Sequence, residues 1–234
     1  MKTYIKNKKI LSKNFCYDKS MEHDACGVGM IATTDGKKSR KIVDYGIEAL
    51  KSIWHRGAVD ADGKSGDGAG IQIEIAPEFF KEKILVTGHT PDETKRICVG
   101  MIFLPRTNYT HQEKCREIIE SALLQQNYYI YGWRQVPFNS NVLGRTAEQS
   151  RPEIAQVLFK KNENLETNDL ERDLFETRKK IEKLARENQL KNFYICSFSS
   201  RSIVYKGMFL AEMLAEFYPD LNDKKFTSRF AIFH

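Results

Sequence analysis

"MEHDACGVGMIA", residues 21–32, sets one cysteine in front of Gly27 and Gly29 and then an apolar run. Free cysteine is commonly buried and behaves there as a small hydrophobe, so packing is one reading of Cys26. The glycines supply the other. Removing the side chains on both sides of Val28 lets a second backbone, or a ligand, come close to the thiol. On spacing alone both readings stand.

Outward from Cys26, residues 26–34 are short, apolar and β-leaning, and the Asp-Gly at 35–36 marks a turn. Ile42, Ala49, Leu50, Ile53 and Trp54 recur at helical spacing and predict an amphipathic helix over 41–55, ended by Gly57. A glycine-rich loop, 57–70, then feeds a strand at 71–76. Pro77 sits where a helix tolerates it, in the first turn of 77–84. Residues 97–105 read as a buried strand and 111–126 as a helix. Strands are expected at 128–137 and 152–161 around a loop at 138–151, with a long charged-faced helix at 169–188. A hairpin at 193–207, a short helix at 210–218 and a last strand at 228–234 complete the pattern. Strands, helices and strands again favour two sheets layered with helices, an α+β fold. The pattern stops at His234 inside a strand, so a domain cut short on that side is expected.

The chain has 234 residues, 41% hydrophobic and 29% charged, enough for a sizeable core. No apolar run approaches a membrane span, and the head lacks the apolar segment of a secretory signal. Five cysteines, an odd number without a CxxC pair, argue against a disulfide framework and for reduced thiols in the cytoplasm. Of the net charge of +6, half lies before Cys26, where six lysines face three acids. The rest is scattered, so neither nucleic acid nor a membrane is an expected partner. The head itself, 1–15, is lysine-rich with little periodicity and is expected to lie loosely on the surface.

"DGKSGDGAG", residues 62–70, imitates two ligand loops and fits neither. A P-loop needs a glycine where Ala58 stands, and an EF-hand needs an acid or amide where Lys64 stands. The five histidines show no HxH or HxxxH spacing, so no metal site is expected. Cys98 and Cys115 fall on apolar faces and read as packing.

"CGVGMIA" together with "IEALKSIWHRGAVDADGKSGDGAGI" resembles the glutamine amidotransferase domain at the front of the glutamate synthase large subunit. Other class-II amidotransferases share the Cys-Gly and the Arg-Gly followed by Ala-Gly-Ile. "YGWRQVPFNSNVLG", "FYICSFSSRSIVYKGM" and "FYPDLND" are similar to that subunit alone, and the likeness runs from about residue 24 to 234.

The resemblance implies an N-terminal nucleophile hydrolase, a four-layer αββα sandwich whose nucleophile is its first residue once a pro-segment leaves. Residues 1–25 would be the pro-segment, although a disordered terminus is an equal reading of their composition. Residues 26–234 would be the amidotransferase domain, truncated at its C-terminal side. Cys26 would attack the carboxamide of glutamine, and Arg56 would support the site or the substrate; a solvent-facing Arg at a helix end is its plainer role. The substrate clamp and oxyanion hole of the family fall beyond His234, so this piece alone is expected to be nearly inactive. No cofactor is expected on this chain. FMN, an iron–sulfur cluster and NADPH with FAD are implied for the full-length enzyme, as are its synthase domains and small subunit as partners. Two alternatives remain, a stand-alone amidohydrolase of the same fold and a non-catalytic assembly domain.

Overall fold

Strand β2 (Ser65–Glu74) is the spine of the molecule, paired with β7 (Ser202–Phe209) on one side and β8 (Phe230–Phe233) on the other. The computed structural model of the chain describes residues 2–14 and 27–234, with residues 2–5, 11 and 56 as backbone only. β1 (Gly29–Ala32) adds to β8, giving an antiparallel sheet in the order β1-β8-β2-β7. A second antiparallel sheet runs β4-β5-β3-β6, from β3 (Cys98–Leu104), β4 (Tyr128–Gln135), β5 (Glu153–Lys161) and β6 (Tyr194–Ser199).

Period-3.6 stripes bring the helices onto these sheets. In α2 (Arg40–Ser52) the Ser39 side chain caps the first turn by accepting from the Lys41 amide, and Ile42, Val43, Gly46, Ile47 and Leu50 are buried. Gly46 is required there, since a Cβ would stand 2.6 Å from the Cβ of Ala231 on β8. α4 (Tyr109–Gln125) is capped by Asn108. α6 (Thr167–Glu187) buries Leu170, Leu174, Ile181 and Ala185 while its outer face carries ion pairs such as Arg178 with Glu182. α4 and α6 cover one face of the second sheet, over Ile102, Val157 and Phe159. The other core joins both sheets to α2 and to α3 (Pro77–Val86), through Ile71, Ile73, Met101, Leu158 and Tyr205. Each fully buried Leu, Ile or Phe there contributes about 1.5–3 kcal/mol of transfer free energy.

A buried polar network crosses between the sheets. Arg134 on β4 donates to both carboxylate oxygens of Asp220 at 2.7 and 2.8 Å and to Gln156 on β5 at 2.9 Å. The Tyr205 hydroxyl donates to Asp220 at 3.0 Å and accepts from Gln156 at 3.2 Å. Every member is satisfied, which makes the network a specifier of this packing. It also joins two stretches singled out above, 131–144 and 217–223.

Several expectations need correction. The head is a helix, α1 (Lys2–Asn14), although its described side chains are exposed apart from half-buried Lys8. The helix expected to 55 ends at Ser52, and Trp54 sits on a separate 3-10 turn, Trp54–Arg56, with 59% of its surface exposed. The second half of the glycine-rich loop is strand. Its register with β7 shifts between Ser65 and Ala69, where Gly68 has φ +131°, a bulge that carries no alternation to read. The expected hairpin at 193–207 is a corner between sheets: β6 pairs with β3 and β7 with β2. The Ser199 hydroxyl takes the amides of Arg201 and Ser202 in place of a ladder. The loop at 138–151 contains a 3-10 turn, Ser140–Val142, and a short helix, α5 (Arg145–Ser150). The stretch expected as one helix at 210–218 is a 3-10 turn, Ala211–Met213, followed by α7 (Leu214–Phe217).

Candidate active site

The glycines of β2 leave room beside the strand. Gly66, a residue whose Cβ would stand 2.6 Å from the Phe209 carbonyl oxygen, lets β7 close in, and Gly68 and Ala69 follow it along one wall of a cavity of about 130 Å³. At about 30 Å³ per water, that is room for roughly four waters, the scale of a small side chain. Gly27, Trp54, Gly57 and Ala58 line it as well. Among the described lining residues only Asp67 and His234 carry titratable side chains.

Cys26 lies outside the described residues. Its neighbour Gly27 lines this cavity, so Cys26 is one peptide bond from the wall. Arg56 has its backbone on the 3-10 turn between two lining residues, Trp54 and Gly57, and the Gly57 amide closes that turn by donating to the Trp54 carbonyl at 3.1 Å. Gly27 and Gly57, the residues that follow the two sequence candidates in the chain, both line this cavity.

The described thiols are poor nucleophiles. Burial pushes Cys115 up to about 11, Cys196 up to about 12 and Cys98 far above the ordinary range. Each is buried and reduced, which leaves almost no thiolate at neutral pH.

A much larger cleft, about 970 Å³, opens at the other end of β2, against Gln72 and Glu74. Seven residues of strand, roughly 23 Å, separate Asp67 from Glu74. The cleft is charged, but its carboxylates are already engaged. Glu74 takes the amide and guanidinium of Arg229 at 2.6 Å each, Glu93 takes Lys81 at 2.6 Å, and Glu171 takes the amide and hydroxyl of Ser200 at 2.7 Å. Burial pushes the Glu74 carboxyl up, yet Arg229 and Lys38 outweigh it and hold the group below the usual carboxylate range.

The family of class-II glutamine amidotransferases matches residues 26–234. The chain belongs to that family. It is 53% identical over 218 residues to the glutamate synthase [NADPH] large chain of Azospirillum brasilense, a match covering 93% of this chain and 14% of that protein. It is 43% identical over 217 residues to a ferredoxin-dependent glutamate synthase of Pyropia yezoensis, covering 91% of this chain and 14% of the relative. The chloroplastic ferredoxin-dependent enzyme of Spinacia oleracea is 38% identical over 214 residues, covering 91% and 13% respectively. The chain thus spans about 14% of the length of the first two of these relatives. Among the described residues no helix is long and apolar enough to cross a membrane.

Sequence reasoning named Cys26 and Arg56 as candidates and missed a tie on the loop between the turn and β2. Asp62 and Ser65 bond to the amides of Thr146 and Ala147, more than eighty residues away. An Asp-x-x-Ser pattern signals a local turn, not a distant partner.

Proposed function

We propose that this chain is the glutaminase portion of a glutamate synthase and that Cys26 is its nucleophile. The observation that carries the reading is the family match over 26–234 combined with a small cavity that Gly27 lines. Cys26 attacks the carboxamide carbon of glutamine and ammonia leaves, its extra proton coming from the general base. Water then hydrolyses the γ-glutamyl thioester to glutamate and regenerates the thiol. The base is the α-amino group of Cys26 itself, exposed when the bond between residues 25 and 26 is cut. Such an amine titrates at about 7.7–8.0, close to the range a general base needs, whereas an ordinary thiol at ~8.5 is only slightly ionised. Walls made largely of glycine backbone and apolar side chains suit a neutral carboxamide. Arg56 supports the site from the turn beside it.

The four-layer αββα sandwich is our reading of the fold. Two antiparallel sheets sharing one core, with α4 and α6 outside the second, support it. In the longer polypeptide the ammonia aminates 2-oxoglutarate, the partners being further domains of the same chain and a small subunit. FMN, FAD, NADPH and an iron–sulfur cluster belong to those parts. Among the described residues no three His, Cys, Asp or Glu side chains converge as metal ligands, and the glycine-rich segment runs into a strand with no helix to cradle a phosphate. We place the protein in the cytoplasm on its cysteine usage.

Intact mass and labelling test this together. A protein beginning at Cys26 that takes up one equivalent of an electrophilic glutamine analogue on that residue is expected. A complete natural polypeptide that keeps Met1 yet hydrolyses glutamine would remove the α-amino base. A processed protein that never labels would favour a non-catalytic assembly role.

A further inference from the structure

Residues 57–64 form a loop in which every residue is exposed, yet Gly57 and Ala58 are part of the cavity wall. Within the loop, short hydrogen bonds close the turn: Asp60 donates its amide to the Ser65 carbonyl at 2.9 Å, and Gly63 donates to Asp60 at 2.9 Å. An isolated bridge pairs Val59 with Gly66, and the Asp67 amide reaches the Ala58 carbonyl at 3.3 Å. These contacts tie the loop to the start of β2, and none of them reaches the second sheet. Among the described residues, the hydrogen bond that ties 57–64 to a distant element is the one from Thr146 to Asp62.

That bond belongs to a helix cap supplied from outside the helix. α5 starts after Gly144, which offers no side chain to its first turn. In its place Asp62 Oδ2 accepts the Thr146 amide at 3.2 Å, and Ser65 Oγ accepts the Ala147 amide at 3.0 Å. The two capping groups also hold each other. Ser65 Oγ donates to Asp62 Oδ2 at 2.6 Å, and Asp62 Oδ1 accepts the Ser65 and Lys64 amides at 2.7 and 3.0 Å. These bonds, that of the Ser65 hydroxyl first, hold the Asp62 carboxyl far below the usual carboxylate range, so it is a full anion at the amide end of α5. A Cβ at Gly144 would overlap Asp62 Oδ2 and Ser65 Oγ, so the absent side chain is what admits the cap. α5 is anchored in turn through Glu148, whose carbonyl accepts from Arg106 at 2.7 Å, close to the start of β5.

We propose that Asp62 and Ser65 are positioning residues of the glutamine cavity. By capping α5 they latch the loop, and with it the Gly57 and Ala58 wall, to the second sheet. The proposal rests on the cavity being the glutamine site. It assigns a role to "DADGKS" that neither a phosphate loop nor a calcium loop fits.

Two readouts on the complete natural polypeptide test it. The first is amide hydrogen exchange, compared between wild type, Asp62→Ala and Gly144→Ala. Both variants are expected to exchange faster in 57–66 and in 144–150 together, by roughly tenfold, the scale of one lost cap. The double variant should add little, because either change opens the same latch. Exchange that rises in 144–150 alone would overturn the latch. The second is glutamine hydrolysis. Asp62→Ala is expected to raise KM for glutamine about tenfold while kcat stays within about twofold, with Asp62→Asn recovering part of the loss because its remaining oxygen still accepts. A destabilised enzyme with unchanged KM would make the cap merely structural and overturn the positioning role. If wild type itself turned over no glutamine, the proposed function would fall while hydrogen exchange still decided the latch.

Discussion

The two ends of β2 are built on opposite plans. At its start, glycines and a bulge leave a cavity of about 130 Å³ with few charged groups. At its end, Glu74 sits 8% exposed beneath Arg229 and Lys38 at the edge of a cleft more than seven times larger. The smaller space is the one that Gly27 lines. In the large cleft the carboxylates are engaged by neighbours of their own; in the small one the backbone is kept bare. Size therefore says less about chemistry here than whether the local groups are left available.

Substitutions at the two ends should separate accordingly. The largest effect is expected from Cys26→Ala, which should lower ammonia release from glutamine by at least ~10³-fold with the fold retained by circular dichroism. Next comes Gly66→Ala at the glycine end. The new Cβ would stand 2.6 and 2.8 Å from the oxygen and carbon of the Phe209 carbonyl, both backbone, so β7 must shift. A loss of about 2 kcal/mol in denaturant unfolding and a fall in turnover of roughly tenfold are expected. At the charged end, Glu74→Gln should cost about 1–2 kcal/mol, or roughly 2–8 °C in Tm, and leave glutamine turnover unchanged. If turnover fell with it, the two ends would not be independent.

Titration sharpens the same contrast. The folded-state pKa of Glu74 is depressed, so its stabilisation is complete above the unfolded carboxylate value near ~4.3 and is lost as pH falls through the folded value. Unfolding followed from pH 7 down to 3 should show wild type losing its advantage over Glu74→Gln in that window. The smallest effect is expected from Trp54→Ala. With 59% of its surface exposed, Trp54 adds little to stability, and Tm should move within about 1–2 °C. Its place on the cavity wall predicts a several-fold change in KM for glutamine instead.

Much of this was legible in the sequence, and the gaps have physical causes. The buried stripes of α4 and α6 follow directly from the spacing of Ile118, Ile119 and Leu123, and of Leu170, Leu174 and Ile181. Gly66, Gly68 and Gly70 concealed a strand, because alternation cannot be read from residues without side chains. The corner at Ser199 looked like a hairpin because sequence shows how close two strands are along the chain, not which sheet each joins. Cys26 and Arg56 were proposed from motif resemblance; Cys26 and the Arg56 side chain lie outside the described residues. The cap of α5 by Asp62 and Ser65 was invisible for another reason: its donors and acceptors lie more than eighty residues apart in the chain.

The pairing of β1 with β8, Gly29 opposite Phe233, has a consequence for biosynthesis. Among the described residues β1 has no other strand neighbour, so it has no partner strand there until the chain has grown by roughly 200 residues. At about 5–20 residues per second, the ribosome takes on the order of 10–40 s to supply β8. During that interval neither the β1–β8 pair nor the His234 side of the small cavity can be in place. Sheet closure thus acts as a delay: the strand that begins at Gly29 finds this partner only once residues 230–233 have been made.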